Sequence, residues 1–481
     1  RIGITLCPGK TDPAGMTGAW ARNLDTDLDA IQHWGATAVV SLITDEELDF
    51  LSVRGLPGAV RDRHMEWWHA PIPDGWPPGP DFEDAWATAG EAIRDRLRLG
   101  FDVLVHCRGG LGRAGTVAAR LLVELGASPD DAIHRVRNAR SRYAIETASQ
   151  EAHVARCAPR APSVPPRTTA AAVRDRALGA FLGLAIGDVV GTTLEFRTRD
   201  AQPRLEDMTG GGPFALPPGA WTDDTAMALA LADSLAATGT LDCRDLMDRF
   251  VQWRRNGEYS CTGACFDIGN ATSGALDRYV RTGDPFAGST HPRTAGNGSL
   301  MRLAPVALRF RNDRPRLIDT AAEQSRTTHG AEEAVDACRA FAELLADAIA
   351  GSPRAALLAP RAFEGAPAIA GIMAGSWRGR ARNEIHSSGY VVHTLEAALW
   401  SIARTGDFRN AVLLAANLAD DADTVAAVTG QLAGALYGLS GIPDRWLDRL
   451  AWKDRLMDAA HGLLEQDRSC TAPDRERGDP A

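Results

Sequence analysis

The sequence predicts two domains, an α/β sheet with flanking helices followed by an all-α bundle, and three observations carry that expectation. Over the first 156 residues, short β-rich runs alternate with amphipathic helical stretches, the pattern of a sheet with helices on its faces. From about residue 173 to 464 apolar residues recur at helical spacing, and no convincing strand interrupts them. Between the two, residues 158–167 (APRAPSVPPR) hold four prolines in ten positions without a periodic apolar pattern, which marks a linker. The expected spans are 1–156 for the first domain, 157–172 for the linker, 173–466 for the second domain and 467–481 for a polar tail.

Within the first domain, residues 25–34 have helical spacing and 38–43 form a short β-rich run. Residues 65–72 are a second extended segment, 81–98 an amphipathic helix, 101–106 a buried strand and 114–125 a helix. In the second domain, residues 227–235, 331–349 and 425–439 are rich in Ala and Leu, with small residues where helices can pack closely. No internal repeat is present.

Composition narrows the functional classes. With 481 residues, 45% hydrophobic and 24% charged, the chain is an ordinary globular one, and either half can bury its own core. A formal net charge of -10 argues against broad nucleic-acid affinity, which needs clustered positive charge. Lysine occurs only at Lys10 and Lys453, so the cations are almost all arginine, a bias of base composition. The eight cysteines contain no CxxC pair, and Cys261 and Cys265 have no His/Cys partners nearby, which argues against a disulfide framework or a zinc site. That scatter fits a reducing cytoplasm. No leader pattern and no uninterrupted apolar run of about 18 residues argue for a membrane partner. The chain opens at Arg1 rather than Met, which suggests residues before it.

Two constellations carry chemistry. In the first, a buried run ends at His106, Cys107 opens a glycine-rich loop and Arg113 closes it before a helix (HCRGGLGR). Five residues between thiol and guanidinium let the loop turn its N–H groups inward around a phosphate, with the helix N-terminus behind them. Gly109, Gly110 and Gly112 allow the backbone angles, the same field favours the Cys107 thiolate, and Arg113 clamps phosphate oxygens bidentately. In the second, WTDDTA and, two hundred residues later, DDADTV each open a helix with carboxylates and hydroxyls. Asp421 and Asp423 converge only in a capping turn, since i,i+2 positions do not share a helix face. Oxygen ligands without His or Cys suit Mg²⁺, Mn²⁺ or Ca²⁺, and so many carboxylates suit two ions.

The first constellation resembles the signature of tyrosine and dual-specificity phosphatases, with wording nearest the kinase-associated, cyclin-dependent-kinase-inhibitor-type branch. That resemblance implies a cysteine-phosphatase fold without a cofactor, Asp74 in PIPDGWPP as general acid, and Gln150 in IETASQ positioning water. Family members usually place Ser or Thr after the arginine to stabilise the departing thiolate. This chain has Ala114 there, with Thr116 two positions on.

The second constellation, with the neighbouring motifs GAFLGLAIGDVVGTTLEF, GEYSCTGACFDIGNATSGAL, GNGSLMRLAPVAL and SGYVVHTLEAALW, resembles the ADP-ribosylglycohydrolase family, which includes the enzyme that reactivates dinitrogenase reductase. The resemblance implies an all-α fold with two Mg²⁺ or Mn²⁺ ions. Thr222, Asp223 and Asp224 stand on one side of them, and Asp421, Asp423 and Thr424 on the other. It places Glu195 and Asp267 at the scissile bond as candidate proton-transfer groups, and Asp267 with Asn270 on the terminal ribose. Asn297, Gly298, Ser299 and Met301 are assigned to a loop around the ADP-ribose, and Tyr259, His329 and Tyr390 to the cleft. Where the family commonly has a glycine pair, this chain has Ala419 and Asp420.

Together these readings predict a bifunctional hydrolase. The second domain cleaves the glycosidic bond of ADP-ribosylated proteins or small adducts. The first hydrolyses phosphomonoesters through a cysteinyl-phosphate, or alternatively serves as a phosphate-binding docking module. A further alternative has the pair processing ADP-ribose phosphate or phosphate-linked ADP-ribosyl adducts on nucleic-acid ends. A structural role, as in lens crystallins that resemble this glycohydrolase family, is disfavoured by the complete set of acids. The sequence leaves the accepted linkage and the oligomeric state open.

Overall fold

The computed structural model describes residues 1–15, 18–162 and 168–469. The expected polar tail and the centre of the expected linker therefore lie largely outside the described residues. The chain forms two compact units, the first comprising Arg1–Pro166 with Pro353–Ala356 and Ala403–Gly406, the second comprising the remainder from Arg167.

The first unit is built on four parallel strands. β1 (Ile2–Leu6) is followed by a two-residue antiparallel ribbon of β2 (Thr11–Asp12) and β3 (Trp20–Ala21), then by β4 (Ala36–Ser41), β5 (Glu66–His69) and β6 (Asp102–Cys107). The sheet order is β1-β6-β4-β5. The ATAVVS run of β4 is buried along its whole length, as a parallel strand covered on both faces must be. Side chains alternate along β6: Val103, Val105 and Cys107 join a core with Phe82, Trp86 and Leu121, whereas Leu104 joins Leu28, Val39 and Leu48 on the other face. The extended segment expected over 65–72 is shorter as a strand. Ala70 and Ile72 still donate to Ser41 and Leu42, but Pro71 between them has no N–H to continue the ladder. The edge strand β1 has no counterpart in the sequence reading, because IGITL is short and only half buried.

The second unit is helical, and among its described residues the only β features are isolated bridges such as Glu195↔Asp420 and Gly296↔Tyr390. Its centre is a pair of helices, Ala170–Gly191 and Ala422–Tyr437. Gly179, Gly183 and Gly187 recur every fourth residue and so share one face of the first helix. A Cβ on Gly183 would strike the Gly430 carbonyl, and one on Gly187 would strike that of Ala426, so the two backbones touch. The Ala170–Leu194 stretch is long and apolar enough to cross a membrane by length and composition, yet 94% of its most apolar 18-residue window is buried inside the protein. The seam brings the C-terminal end of the first helix beside the N-terminal end of the second, and the acids stand there.

Candidate functional site

In the first unit, β6 delivers Cys107 to the mouth of the loop and the Gly112–Glu124 helix begins immediately after it. Gly110, at φ +70°, turns its N–H onto Cys107 Sγ at 3.2 Å and packs so tightly on Thr5 of β1 that no side chain fits. The helix start has no side-chain cap, which leaves loop N–H groups for an anion. Arg113 is almost wholly buried and donates to Glu47 bidentately, at 2.6 and 2.8 Å, and to the Ile72 carbonyl at 2.8 Å. Asp74 lies 2.8 Å from the same guanidinium, so the candidate general acid, nucleophile and clamp are brought together. Burial and the nearby Asp74 charge hold the Glu146 carboxyl above its usual range, and Gly112 lies directly beneath it. Gly109 is open to solvent.

Three details refine the expectations. Gln150 is fully buried, donates to the Trp76 carbonyl at 3.2 Å and accepts from Glu146 N–H at 2.9 Å, so it ties the Asp74 loop to the segment beneath it. Thr116 donates its hydroxyl to the Gly112 carbonyl at 2.8 Å and does not stand in for the hydroxyl absent at Ala114. Glu47, which the sequence reading missed, was legible only as half of a capping box with Thr44.

The second site assembles from segments far apart in the chain. Glu195, Asp421 and Asp423 offer carboxylate oxygens all within 4.8 Å of one another. Glu195 is positioned by the N–H groups of Ala422 and Asp423, at 2.6 and 3.2 Å, which open the Ala422–Tyr437 helix. Asp421 is the N-cap of that helix, so the two acids converge in a capping turn as the spacing required. Asp223 and Asp224 open the Asp223–Thr238 helix with Thr222 as N-cap. Thr222 Oγ1 lies 3.3 Å from Asp423 Oδ2, and Thr424 Oγ1 lies 3.4 Å from Asp224 Oδ2, which interlocks the two sides. Ala419 and Asp420 take φ of +60° and +65°, the left-handed region a glycine pair enters freely.

So much buried negative charge shifts every acid upward. Burial, then repulsion from Asp423, pushes Asp188 and Asp421 up to about 7. Burial and Asp267 push Asp423 up to about 7, and burial raises Asp267 itself to about 6. Asp223, Asp224 and Glu195 are raised as well, by burial and by repulsion from the neighbouring acids. Asp224 Oδ1 is buried without a hydrogen-bond partner. An oxygen-only donor set with an orphaned carboxylate oxygen fits a hard divalent cation, whose charge would offset the repulsion.

The remaining predicted residues divide. Asn270 and Tyr390 line one cavity of about 760 Å³ together with Gly296, Gly389, Arg278 and Arg293. Tyr390 donates its hydroxyl to Glu333 at 2.6 Å. Asn297 spends its amide on Thr394 Oγ1 at 2.8 Å and on the Asp421 carboxylate, so it steadies an acid. Met301 sits buried with its sulfur facing the Thr424 hydroxyl. Ser299 is turned inward, fully buried, with its hydroxyl on Ser325 and Cys338. His329 is buried beneath the loop, and a Cβ on Gly298 would meet its ring at 2.7 Å. Burial holds its imidazole down at about 3, so it supports the loop as a neutral ring. Tyr259 accepts from Arg249 at 2.8 Å and lies under Arg455, and none of these contacts reaches the acids or the cavity. Asp188, in the quoted GLAIGDVVG motif but not singled out there, accepts from the N–H and hydroxyl of both Thr222 and Thr225.

Residues 169–473 match the model of the ADP-ribosylglycohydrolase family, and residues 12–163 match that of the Swiss Army Knife protein, DSP-PTPase phosphatase domain. The chain is 50% identical over 294 residues to the ADP-ribosylarginine hydrolase Tri1 of Pseudomonas putida (strain GB-1), covering 61% of this chain and 78% of that protein. It is 35% identical over 297 residues to the ADP-ribosyl-[dinitrogen reductase] glycohydrolase of Rhodospirillum rubrum, covering 59% of this chain and 93% of that one. The N-terminal part is 34% identical over 131 residues to cyclin-dependent kinase inhibitor 3 of Rattus norvegicus, covering 27% of this chain and 60% of that protein. A solved ADP-ribosylglycohydrolase-related protein complex superposes with a TM-score of 0.56 at 45% identity, covering 61% of this chain and 98% of that one. The chain is a hydrolase of the ADP-ribosylglycohydrolase family that carries a DSP-PTPase-like domain ahead of its glycohydrolase domain.

Proposed function

We propose that the second unit hydrolyses the N-glycosidic bond of ADP-ribosyl-arginine with two Mg²⁺ or Mn²⁺ ions, and that the first hydrolyses phosphomonoesters through a cysteinyl-phosphate. The observation that carries the first part is the meeting of Glu195, Asp421 and Asp423 from opposite ends of the domain, with Asp223 and Asp224 beside them. The similarity to the Tri1 hydrolase supports arginine as the linkage. Asp223, Asp224, Asp421 and Asp423, with Thr222 and Thr424, would hold the ions, which polarise the ribose centre and orient a water when bound. Glu195, held by two backbone N–H groups beside Asp421 and Asp423, would hand a proton to the leaving nitrogen. The products are ADP-ribose, with water's oxygen on the anomeric carbon, and the arginine side chain with its guanidino group freed.

In the first unit, Cys107 Sγ attacks phosphorus, Arg113 holds the equatorial oxygens and Asp74 protonates the departing oxygen. Arg113 is pre-oriented by Glu47, so its fork is fixed before substrate arrives. The docking-module reading predicts phosphate binding without turnover.

The test is incubation of the purified protein with ADP-ribosyl-arginine peptide and Mg²⁺, with and without chelator, following free ADP-ribose by mass spectrometry. Metal-dependent release supports the reading. Release that persists in chelator overturns the metal assignment, and no release from folded, metal-loaded protein overturns the arginine linkage.

A further inference from the structure

We propose that Phe196 and Asp420 form a subsite for the group that leaves the ribose, suited to a planar cation such as the guanidinium of an arginine side chain. The subsite rests on the arginine reading above and specifies how that substrate is recognised.

Its two residues are neighbours in space and flank the acids in sequence. Phe196 directly follows Glu195, and Asp420 directly precedes Asp421. Their backbones are bonded: Phe196 N–H donates to the Asp420 carbonyl at 2.7 Å, and Asp420 N–H donates to the Arg197 carbonyl at 2.9 Å. Phe196, at φ +56°, joins Ala419 and Asp420 in the left-handed region, so the two segments meet in tight turns directly beside Glu195 and Asp421. Phe196 is 65% exposed, unusual for so large an apolar side chain. It is backed edge-on by Phe214 at 6.3 Å, which meets Phe266 at 5.2 Å, and Phe266 adjoins Asp267.

Asp420 is exposed, and its carboxylate makes no hydrogen bond or ion pair among the described residues. Arg199 lies within electrostatic range, yet its guanidinium is taken by the carbonyls of Leu418, Arg382 and Ile385 at 2.9, 2.8 and 2.7 Å. Glycine or asparagine would satisfy the turn at position 420. An exposed carboxylate and an exposed aromatic ring on hydrogen-bonded backbones supply what a guanidinium recognises, charge-assisted hydrogen bonds at its edge and a π surface at its face.

Agmatine, a small guanidinium probe, is titrated calorimetrically into the Mg²⁺-loaded full chain saturated with ADP-ribose, for wild type, Asp420→Asn and Phe196→Leu. ADP-ribose affinity is measured for each variant first, as a check that the site is folded. Saturable agmatine binding is expected in wild type, about tenfold weaker in Asp420→Asn and weaker in Phe196→Leu, with a matching rise in KM for an ADP-ribosyl-arginine peptide. No saturable binding by wild type, or equal affinity in Asp420→Asn, overturns the subsite. If wild type binds agmatine through Asp420 but releases nothing from the arginine peptide, the arginine-linkage reading fails and the subsite stands. If it cleaves the peptide while agmatine is indifferent to Asp420, the subsite fails alone.

Discussion

The Asp188 carboxylate holds Thr222 at two points, accepting its backbone N–H and its hydroxyl, each at 2.9 Å. Thr225 adds its own N–H at 3.0 Å and hydroxyl at 2.6 Å, so one buried acid fixes the turn that presents Asp223 and Asp224. An amide has one acceptor oxygen for these four donors. Asp188→Asn is therefore expected to lower stability by about 2–4 kcal/mol and to weaken Mn²⁺ binding at least about tenfold. Thermal unfolding without metal and calorimetric Mn²⁺ titration measure the two effects separately. An unchanged Mn²⁺ affinity would show that Asp188 serves the fold alone.

The acid cluster makes stability depend on pH. Asp188, Asp421 and Asp423 near 7 and Asp267 near 6 lie above the unfolded carboxyl value of about 4. The metal-free fold therefore binds protons that the unfolded chain has released, and stability is lost as pH rises from about 4 through 7. The melting temperature of the second unit's transition in chelator is expected to be higher at pH 5 than at pH 7.5. Mn²⁺ should remove most of that difference, and a metal-free melting temperature that rises over this range contradicts the clustering.

At Ala114 the loop lacks the hydroxyl that the phosphatase resemblance places after the arginine, and Thr116 is occupied by Gly112. Ala114→Ser is expected to speed breakdown of the cysteinyl-phosphate several-fold, roughly one hydrogen bond to a charged sulfur. Rapid-quench kinetics on a generic phosphomonoester read this as a smaller burst with a faster steady state. Cys107→Ser should abolish both phases.

The glycine seam is open to a direct test. Gly183→Ala pushes a methyl group against the Gly430 carbonyl, and neither backbone has room to move without separating the helices. A loss of about 1–3 kcal/mol is expected. Mn²⁺ affinity should fall with it, because the same contact sets the distance between the two halves of the acid cluster.

The Cys107 loop and the paired acids were legible in the sequence because their chemistry is local: a thiol and an arginine at fixed spacing, carboxylates at helix starts. Asp188 was not, since its role depends on a turn 34 residues away, and an aspartate among apolar residues does not say which donors it meets. Glu47 was hidden likewise, because a capping box explains it without Arg113. Ser299 was assigned to the ligand loop from its place in a motif, and His329 to the cleft from the family resemblance. The fold turns both inward, and a side chain's direction within a loop is set by tertiary packing that no spacing rule encodes. Strand β1 escaped because an edge strand half open to solvent lacks the continuous apolar run that marked β4 and β6.

The touching backbones of Ala170–Gly191 and Ala422–Tyr437 also impose an order in time. Asp188, Glu195, Asp223 and Asp224 leave the ribosome some two hundred residues before Asp421 and Asp423. At translation rates of about 5–20 residues per second, that interval lasts roughly 10–40 s. During it the first helix has no partner for its glycine face and the early acids have no opposing half. The nascent glycohydrolase is therefore inert until its final third has been made, whereas every segment that builds the thiol loop, from β1 through Gln150, is made well before it. One polypeptide thus completes its two sites in sequence, and a ribosome that stops early releases at most the first of them.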